Sequence, residues 1–505
     1  MQNSLSGPDT DTSSPAPDQA LHAEDAGYHK GLKSRQIQMI GIGGAIGTGL
    51  FLGAGGRLAA AGPSLVIAYA LCGFFAFLIM RALGELVLHR PSSGSFVSYA
   101  REFFGEKAAF VSGWFYWIMW ATTTIGDITA AALYMNFFGK YVAWIGAVPQ
   151  WAWALIALVL VLGLNLISVK VFGEMEFWFA FIKVGALLVF LVIGIFFVIF
   201  GTPTGGVTGI QLISDNGGFF PAGILPMILL MQGVIFAYSG IELVGTAAGE
   251  TKNPEKIMPK AINSVVWRIA IFYVGSVALL SLLLPYTSYV KGESPFVTFF
   301  GTLGIQGVDV IMNLVVLTAA LSSLNAGLYS TGRILRSMAF AGSAPKFALL
   351  MSRSGVPYGG IAATAAVALL GVPLNYLLPG DAFEIVLSIA AVGVVSTWGT
   401  IILCQLQLFR WSRKGWIQRP AFRMFGAPYT GYTTLVFLVI VLIMTLADSP
   451  WTAFVTSIFC ALLVCGWYAC RKRIHQIAAT RDSYTGATTA VKAAQHPGPK
   501  EPSGD

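Results

Sequence analysis

The sequence predicts an all-α integral membrane protein of about twelve transmembrane helices. Composition, a series of long apolar runs and an alternation of basic loops point to that class. Of 505 residues, 56% are hydrophobic and only 11% charged, and the mean hydropathy is +0.72. A soluble domain carries about 25% charged residues. This chain lacks the groups to cover a water-facing surface, so much of it must face lipid.

The apolar runs lie near 37–60, 64–88, 108–137, 151–171, 177–200, 224–249, 261–285, 307–334, 358–378, 382–409, 430–447 and 451–470. Each approaches the roughly 20 residues that cross a bilayer as a helix. Lipid offers no partner for backbone N–H and C=O groups, so each span must be helical. Alternate loops hold the basic residues: Lys30, Lys33 and Arg35; Arg90, Arg101 and Lys107; Lys252, Lys256 and Lys260; Lys346 and Arg353; Arg413, Lys414 and Arg419; Arg471 to Arg473. The other loops hold little beyond Arg57, Lys140 and Lys291. Cytoplasmic loops retain Lys and Arg, which places both termini in the cytoplasm and makes the span count even.

The net charge of +8 is therefore topology information, and no nucleic-acid partner is expected. Residues 1–34 and 474–505 are polar, lack an apolar face and read as disordered cytoplasmic tails around a twelve-helix domain over 35–473. The start carries Asp9, Asp11, Glu24 and Asp25 and is not a cleavable signal peptide. The five cysteines form no CxxC pair, which supports neither a disulfide framework nor a zinc site. The five histidines sit in tails or near span ends, so a mid-membrane histidine relay is excluded.

Two spans look broken. Span one reads Gly41-Ile42-Gly43-Gly44-Ala45-Ile46-Gly47-Thr48-Gly49 at its centre. Each glycine costs about 1 kcal/mol against alanine inside a helix, and a packing seam would space small residues four apart. Unwinding there frees backbone N–H groups whose dipole end favours a carboxylate. Span six has Phe236-Ala237-Tyr238-Ser239-Gly240-Ile241-Glu242, with Ser-Gly at its centre. Unwound carbonyls there can accept from an ammonium group. Breaks five spans apart point to two inverted five-helix repeats around a midplane site. Donors for a carboxylate beside acceptors for an amine suit an amino acid better than a sugar, an inorganic ion or a lipid.

Ordered motifs carry a resemblance over about residues 30–470. Gly43-Gly44-Ala45-Ile46-Gly47-Thr48-Gly49-Leu50-Phe51, Ala61-Gly62-Pro63, Arg81-Ala82-Leu83-Gly84-Glu85-Leu86, Phe172-Gly173-Glu174-Met175-Glu176-Phe177-Trp178-Phe179, Gly240-Ile241-Glu242-Leu243-Val244-Gly245 and Glu250-Thr251-Lys252-Asn253-Pro254 resemble the amino-acid permeases of the amino acid–polyamine–organocation superfamily. Within that group, the stretches 89–102, 312–329 and 355–360 are most similar to bacterial L-asparagine permeases, with sister permeases for D-serine, D-alanine and glycine sharing many of the motifs. The resemblance implies a LeuT-like fold with two extra helices, residence in the bacterial inner membrane and uptake of a small amino acid. It also implies a proton gradient as the energy source, with no cofactor.

The resemblance also assigns roles. Around the breaks, Gly43, Gly44, Ala45, Ile46, Gly47 and Thr48 in span one and Phe236, Ala237 and Ser239 in span six form the substrate site. Phe236 is its aromatic lid, and Thr123, Asn325 and Ser396 are polar wall groups. Lys183, in its Phe-Ile-Lys-Val setting, resembles a lysine that stands in place of the sodium ion of related transporters. It would bridge spans one and eight through carbonyls near Gly41 to Gly43 and the hydroxyls of Ser322 and Ser323, and load and release a proton.

The residues alone leave these charges more open. A charge deep in a span costs between about 3 and more than about 10 kcal/mol, so Lys183 needs a partner or must snorkel to the cytoplasmic face. Glu242 reads either as a carboxylate accepting freed N–H groups or as a second proton carrier or gate. Asp127 either faces the pathway or pairs with Arg or backbone. Glu85 pairs with Arg81 at i,i+4. Glu174 and Glu176 sit at the start of span five, where carboxylates suit the helix dipole.

Other classes fit less well. A channel needs a continuous polar lining, and the few intramembrane charges suit single-site occlusion. No HExxH, Ser–His arrangement or GxxxxGK[ST] loop supports an enzyme or an ATP-driven pump.

Overall fold

Apolar runs without a backbone partner in lipid have one economical outcome, and the computed structural model shows it: among the described residues every regular element is helical. Those residues are 39, 46–92, 95–203, 205–243, 245 and 254–485. The N-terminal segment 1–34 and the site candidates Gly43, Gly44 and Ala45 lie outside them, as do the carbonyls of Gly41 to Gly43.

The helices that position the site are α1 (Thr48–Phe51), α2 (Gly53–Ala61), α3 (Leu65–His89), α4 (Ser95–Phe104), α5 (Glu106–Phe137), α6 (Gln150–Ile167) and α7 (Val169–Phe200). They continue with α8 (Ile224–Leu229), α9 (Met231–Ala237), α10 (Pro254–Arg268), α11 (Ser276–Leu283), α12 (Val308–Phe340), α13 (Tyr358–Ala368) and α14 (Gly371–Leu377). The last three are α15 (Ala382–Arg413), α16 (Tyr429–Asp448) and α17 (Pro450–Thr485). Nine helical stretches among the described residues are long and apolar enough to cross a membrane. The first, Thr48–His89, takes in parts of two expected spans, the third span (α5) is not among the nine, and the sixth span contributes only the shorter apolar segment Ile224–Ala237.

Burial sorts inner from outer helices. The most apolar window of Ala382–Arg413 is 67% buried, that of Val169–Phe200 22%, and that of the last span 6%. The first belongs to the bundle interior, and the last presents nearly all of its apolar surface outward. α5 crosses the centre, packed on both α12 and α15. Its threonines, its tryptophans and Asp127 are affordable because most of its residues are enclosed by protein rather than lipid.

Two boundaries and one pairing differ from expectation. Span five begins at Val169, where the Ser168 hydroxyl caps the helix by accepting the Val171 N–H at 3.2 Å. Glu174 and Glu176 therefore lie inside α7 and not at its N-terminus. α17 runs through the tail boundary set at 474 to Thr485, because Ile474 is fully buried. The third correction concerns Glu85. It is fully buried and ion-paired with Arg419 at 2.6 Å, and accepts from Gln405 Nε2 and the Met424 N–H. Arg81 donates instead to Asn263 and the Arg423 carbonyl and covers the Phe422 ring. The chain after α15 folds back over the end of α3 and brings Glu85 a better partner than its own helix offers.

Candidate functional site

The cavity that matters lies where α1, α5, α9 and α12 converge. It is narrow and lined by Gly47, Thr48, Gly49, Trp120, Thr123, Phe236, Ala237, Ser239 and Ser323.

Local sequence explains the convergence. Gly47 is extended (φ −124, ψ −162), and helix begins at Thr48. A Cβ on Gly49 would lie 2.6 Å from the Ala237 Cα, so only glycine lets spans one and six touch there. On the other side α9 stops at Ala237 in the middle of an apolar run, and Gly240 takes φ +91, a conformation that favours glycine. The Gly240 N–H donates to both oxygens of the fully buried Glu242 carboxylate, at 3.1 and 3.3 Å. Glu242 also stands beside the Trp398 indole and the Tyr116 phenol.

Behind the cavity runs a buried polar network. Thr48 Oγ1 donates to Asp127 Oδ1 at 2.9 Å, and Asp127 lies beside Ser323 and Lys183. Lys183 Nζ donates to Ser322 Oγ at 2.9 Å, and Ser322 Oγ donates to Glu176 Oε1 at 2.7 Å. Glu176 Oε2 accepts from Asn325 Nδ2 at 3.5 Å, while Asn165 Nδ2 donates to the Asn325 side chain and carbonyl. Helix register produces this set. Phe172 of α7 stacks on Tyr329 of α12 at 3.8 Å between centroids. One turn up α7 and one turn down α12 from that stack, Glu176 meets Asn325. Another turn or two brings Lys183 to Ser322.

The structure thus gathers Gly47, Thr48, Thr123, Phe236, Ala237, Ser239 and Ser323 at one cavity and joins Ser322 to Lys183. It does not bring Asn325 or Ser396 there. Asn325 faces α6 and α7, because Asn165 and Glu176 offer it buried partners. Ser396 turns its hydroxyl back to the Val392 carbonyl of its own helix at 2.8 Å. Ile46 is buried but is not among the lining residues. Thr123 lines the cavity while its hydroxyl donates to the Met119 carbonyl, leaving its lone pairs to accept.

Two participants escaped the sequence reading although periodicity pointed to them. Trp120 precedes Thr123 by three residues on one helix face. Glu176 precedes Lys183 by seven, two turns on the same stripe.

The amino acid permease family matches residues 36–475, almost the whole described bundle. The chain belongs to that family. It is a transporter and not an enzyme, a multi-pass protein of a cell membrane with an amino-acid substrate. The permease is 61% identical over 472 residues to L-asparagine permease 1 of Mycobacterium tuberculosis, covering 93% of this chain and 96% of that relative. It is 57% identical over 482 residues to the L-asparagine permease of Escherichia coli, with 94% and 96% covered. The L-asparagine permease of Streptomyces coelicolor shares 56% over 459 residues, with 90% and 93% covered.

Proposed function

We propose that this permease imports a neutral polar amino acid, most specifically L-asparagine, by coupling its movement to the proton gradient. The supporting observation is the small cavity between Gly47–Gly49 and Phe236–Ser239, where two helices end or begin in mid-run. Such a site offers main-chain donors and acceptors with no side chain in the way, which suits the two charged ends of an amino acid. The Ser239 hydroxyl can donate and accept, and the Thr123 and Ser323 hydroxyls, whose protons go to the Met119 carbonyl and the Asp127 carboxylate, keep lone pairs to accept, so a carboxamide finds both kinds of partner. High identity to relatives named for L-asparagine favours that substrate over D-serine, D-alanine or glycine.

In this reading the fold is a LeuT-like pair of inverted five-helix repeats with two further helices. It sits in the inner membrane of a bacterium with both termini cytoplasmic. Gly43, Gly44, Ala45 and Ile46 complete the substrate site, with Phe236 as its lid. Lys183 takes and releases the coupled proton within the Glu176–Ser322–Ser323 setting, and Glu242 is a second carrier or gate. Radiolabelled L-asparagine uptake into proteoliposomes under an imposed proton gradient tests it. Competition by D-serine, glycine and 4-aminobutyrate ranks the substrates. Failure of asparagine both to enter and to compete overturns the substrate, and uptake indifferent to the proton gradient overturns the coupling.

A further inference from the structure

The outer half of span one carries a cation that the transport reading leaves unused. Arg57, in α2, is 3% exposed. Its Nη1 donates to the Gly49 carbonyl at 3.1 Å, and Gly49 itself lines the cavity. The helix is interrupted between them at Leu52, so the guanidinium supplies a donor across the gap. Nη2 is buried without a hydrogen-bond partner. Two glycines make room for the group: a Cβ on Gly53 would lie 2.5 Å from Nη1, and one on Gly233 would lie 2.2 Å from Nε. Helices from spans one and six thus both omit a side chain at the same guanidinium.

Charge balance makes the placement informative. Lys183 has the Glu176 carboxylate near it and Arg419 has Glu85. Among the described residues no carboxylate pairs with Arg57; its neighbours are the Gly49 carbonyl and the Tyr69 phenol. An arginine does not shed its proton, and an uncompensated buried charge is expensive. In a low-dielectric interior its field acts strongly over short distances, and the residue whose carbonyl it holds, Gly49, lines the cavity.

We propose that Arg57 is the charge-selecting residue of the pocket: its guanidinium, held against Gly49, is the standing counter-charge for the carboxylate of the bound amino acid and the barrier to substrates of net positive charge. The inference rests on the reading of this cavity as an amino-acid site. A zwitterion brings a carboxylate that offsets the buried cation. An amino acid with a cationic side chain adds a positive charge that Arg57 repels, and an amine lacking the carboxylate leaves Arg57 uncompensated.

The test uses the full chain in proteoliposomes, as wild type, Arg57→Lys and Arg57→Gln. L-2,4-diaminobutyrate, close in size to asparagine but cationic, and 3-aminopropanamide, asparagine without its carboxylate, are the competing probes. Wild type is expected to take up labelled asparagine and ignore both. In Arg57→Gln the KM for asparagine rises about tenfold, the worth of roughly one weakened charge contact, while the maximal rate is largely retained and diaminobutyrate becomes a competitor. Arg57→Lys keeps diaminobutyrate out. Should Arg57→Gln fail to fold, Gly233→Ala, which displaces the guanidinium without removing charge, is expected to raise the KM in the same direction. An unchanged KM and unchanged exclusion of diaminobutyrate in Arg57→Gln overturn the proposal, as does a folded Arg57→Lys that admits diaminobutyrate. If the Gly233→Ala substitute is used, an unchanged KM overturns it too. Wild type that transports no asparagine fails the substrate reading instead, and is recognised before any variant is compared.

Discussion

Gly49→Ala is a one-methyl perturbation at the contact on which the site depends. The added Cβ would stand 2.6 Å from the Ala237 Cα and 3.1 Å from both the Ala237 nitrogen and Phe236 Cδ1. Carbon atoms pack at about 3.5–4.0 Å, so spans one and six must separate by roughly 1 Å. Two of the three obstructing atoms are backbone and cannot swing aside. Overpacking of this kind costs about 1–3 kcal/mol, equivalent to about 5- to 150-fold in an equilibrium constant. It falls where the lining from Thr48 to Ala237 must close. Gly47→Ala is the contrasting variant, since its Cβ would meet nothing nearer than the Ser323 hydroxyl at 3.6 Å. Gly163→Ala, with nothing within 4 Å, is the control. Thermal unfolding in detergent and initial uptake rates in proteoliposomes should rank them. Gly49→Ala loses both stability and transport, Gly47→Ala keeps stability but raises the KM by narrowing the cavity, and Gly163→Ala changes neither. A Gly49→Ala protein as stable and active as wild type would refute the close approach of the two spans.

Further outcomes follow from the buried charges. Lys183→Met should abolish proton-driven accumulation while the protein still reaches the membrane, and accumulation that survives intact removes Lys183 from the coupling. Glu85→Ala should cost about 3–5 kcal/mol by stranding the Arg419 charge, whereas Arg81→Ala loses hydrogen bonds worth about 1 kcal/mol each. Comparable losses on chemical unfolding would restore the pairing of Glu85 with Arg81. At the foot of α3, Glu102 meets His89 Nε2 at 2.8 Å and Arg90 Nε at 2.9 Å. Burial alone would raise its pKa, but the His89 hydrogen bond and the Arg90 charge outweigh it and hold the carboxyl below its ordinary 4.5. A depressed carboxylate contributes stability that is present above its unfolded value and lost as pH falls through the folded one. The thermal midpoint of wild type should therefore fall more steeply below about pH 4.5 than that of Glu102→Gln, and parallel curves would show that the cluster holds nothing.

Much of the bundle was legible because lipid imposes one rule everywhere. A run of twenty apolar residues must satisfy its own backbone, so hydropathy located most of the helices, and the glycines at Gly47 and Gly240 lie where one helix begins and another has just ended. The motifs that pointed to a permease were likewise local strings. Asn325 and Ser396 misled for the opposite reason. A polar residue in a span must find a partner, but which partner depends on the facing helix. Asn165 and Glu176 captured Asn325, and Ser396 satisfied itself on the Val392 carbonyl.

The sequence by itself determined the class, most of the helices and the places where α1 begins and α9 ends, since each follows from chain-local chemistry in a solvent that cannot hydrogen-bond. Only the tertiary structure decided which buried groups meet: Lys183 with Ser322, Thr48 with Asp127, Glu85 with Arg419 and Arg57 with the Gly49 carbonyl. Those pairings span helices far apart in the chain or bridge a broken turn. The register of one helix against another is set by side-chain packing on both, which no single stretch of sequence contains.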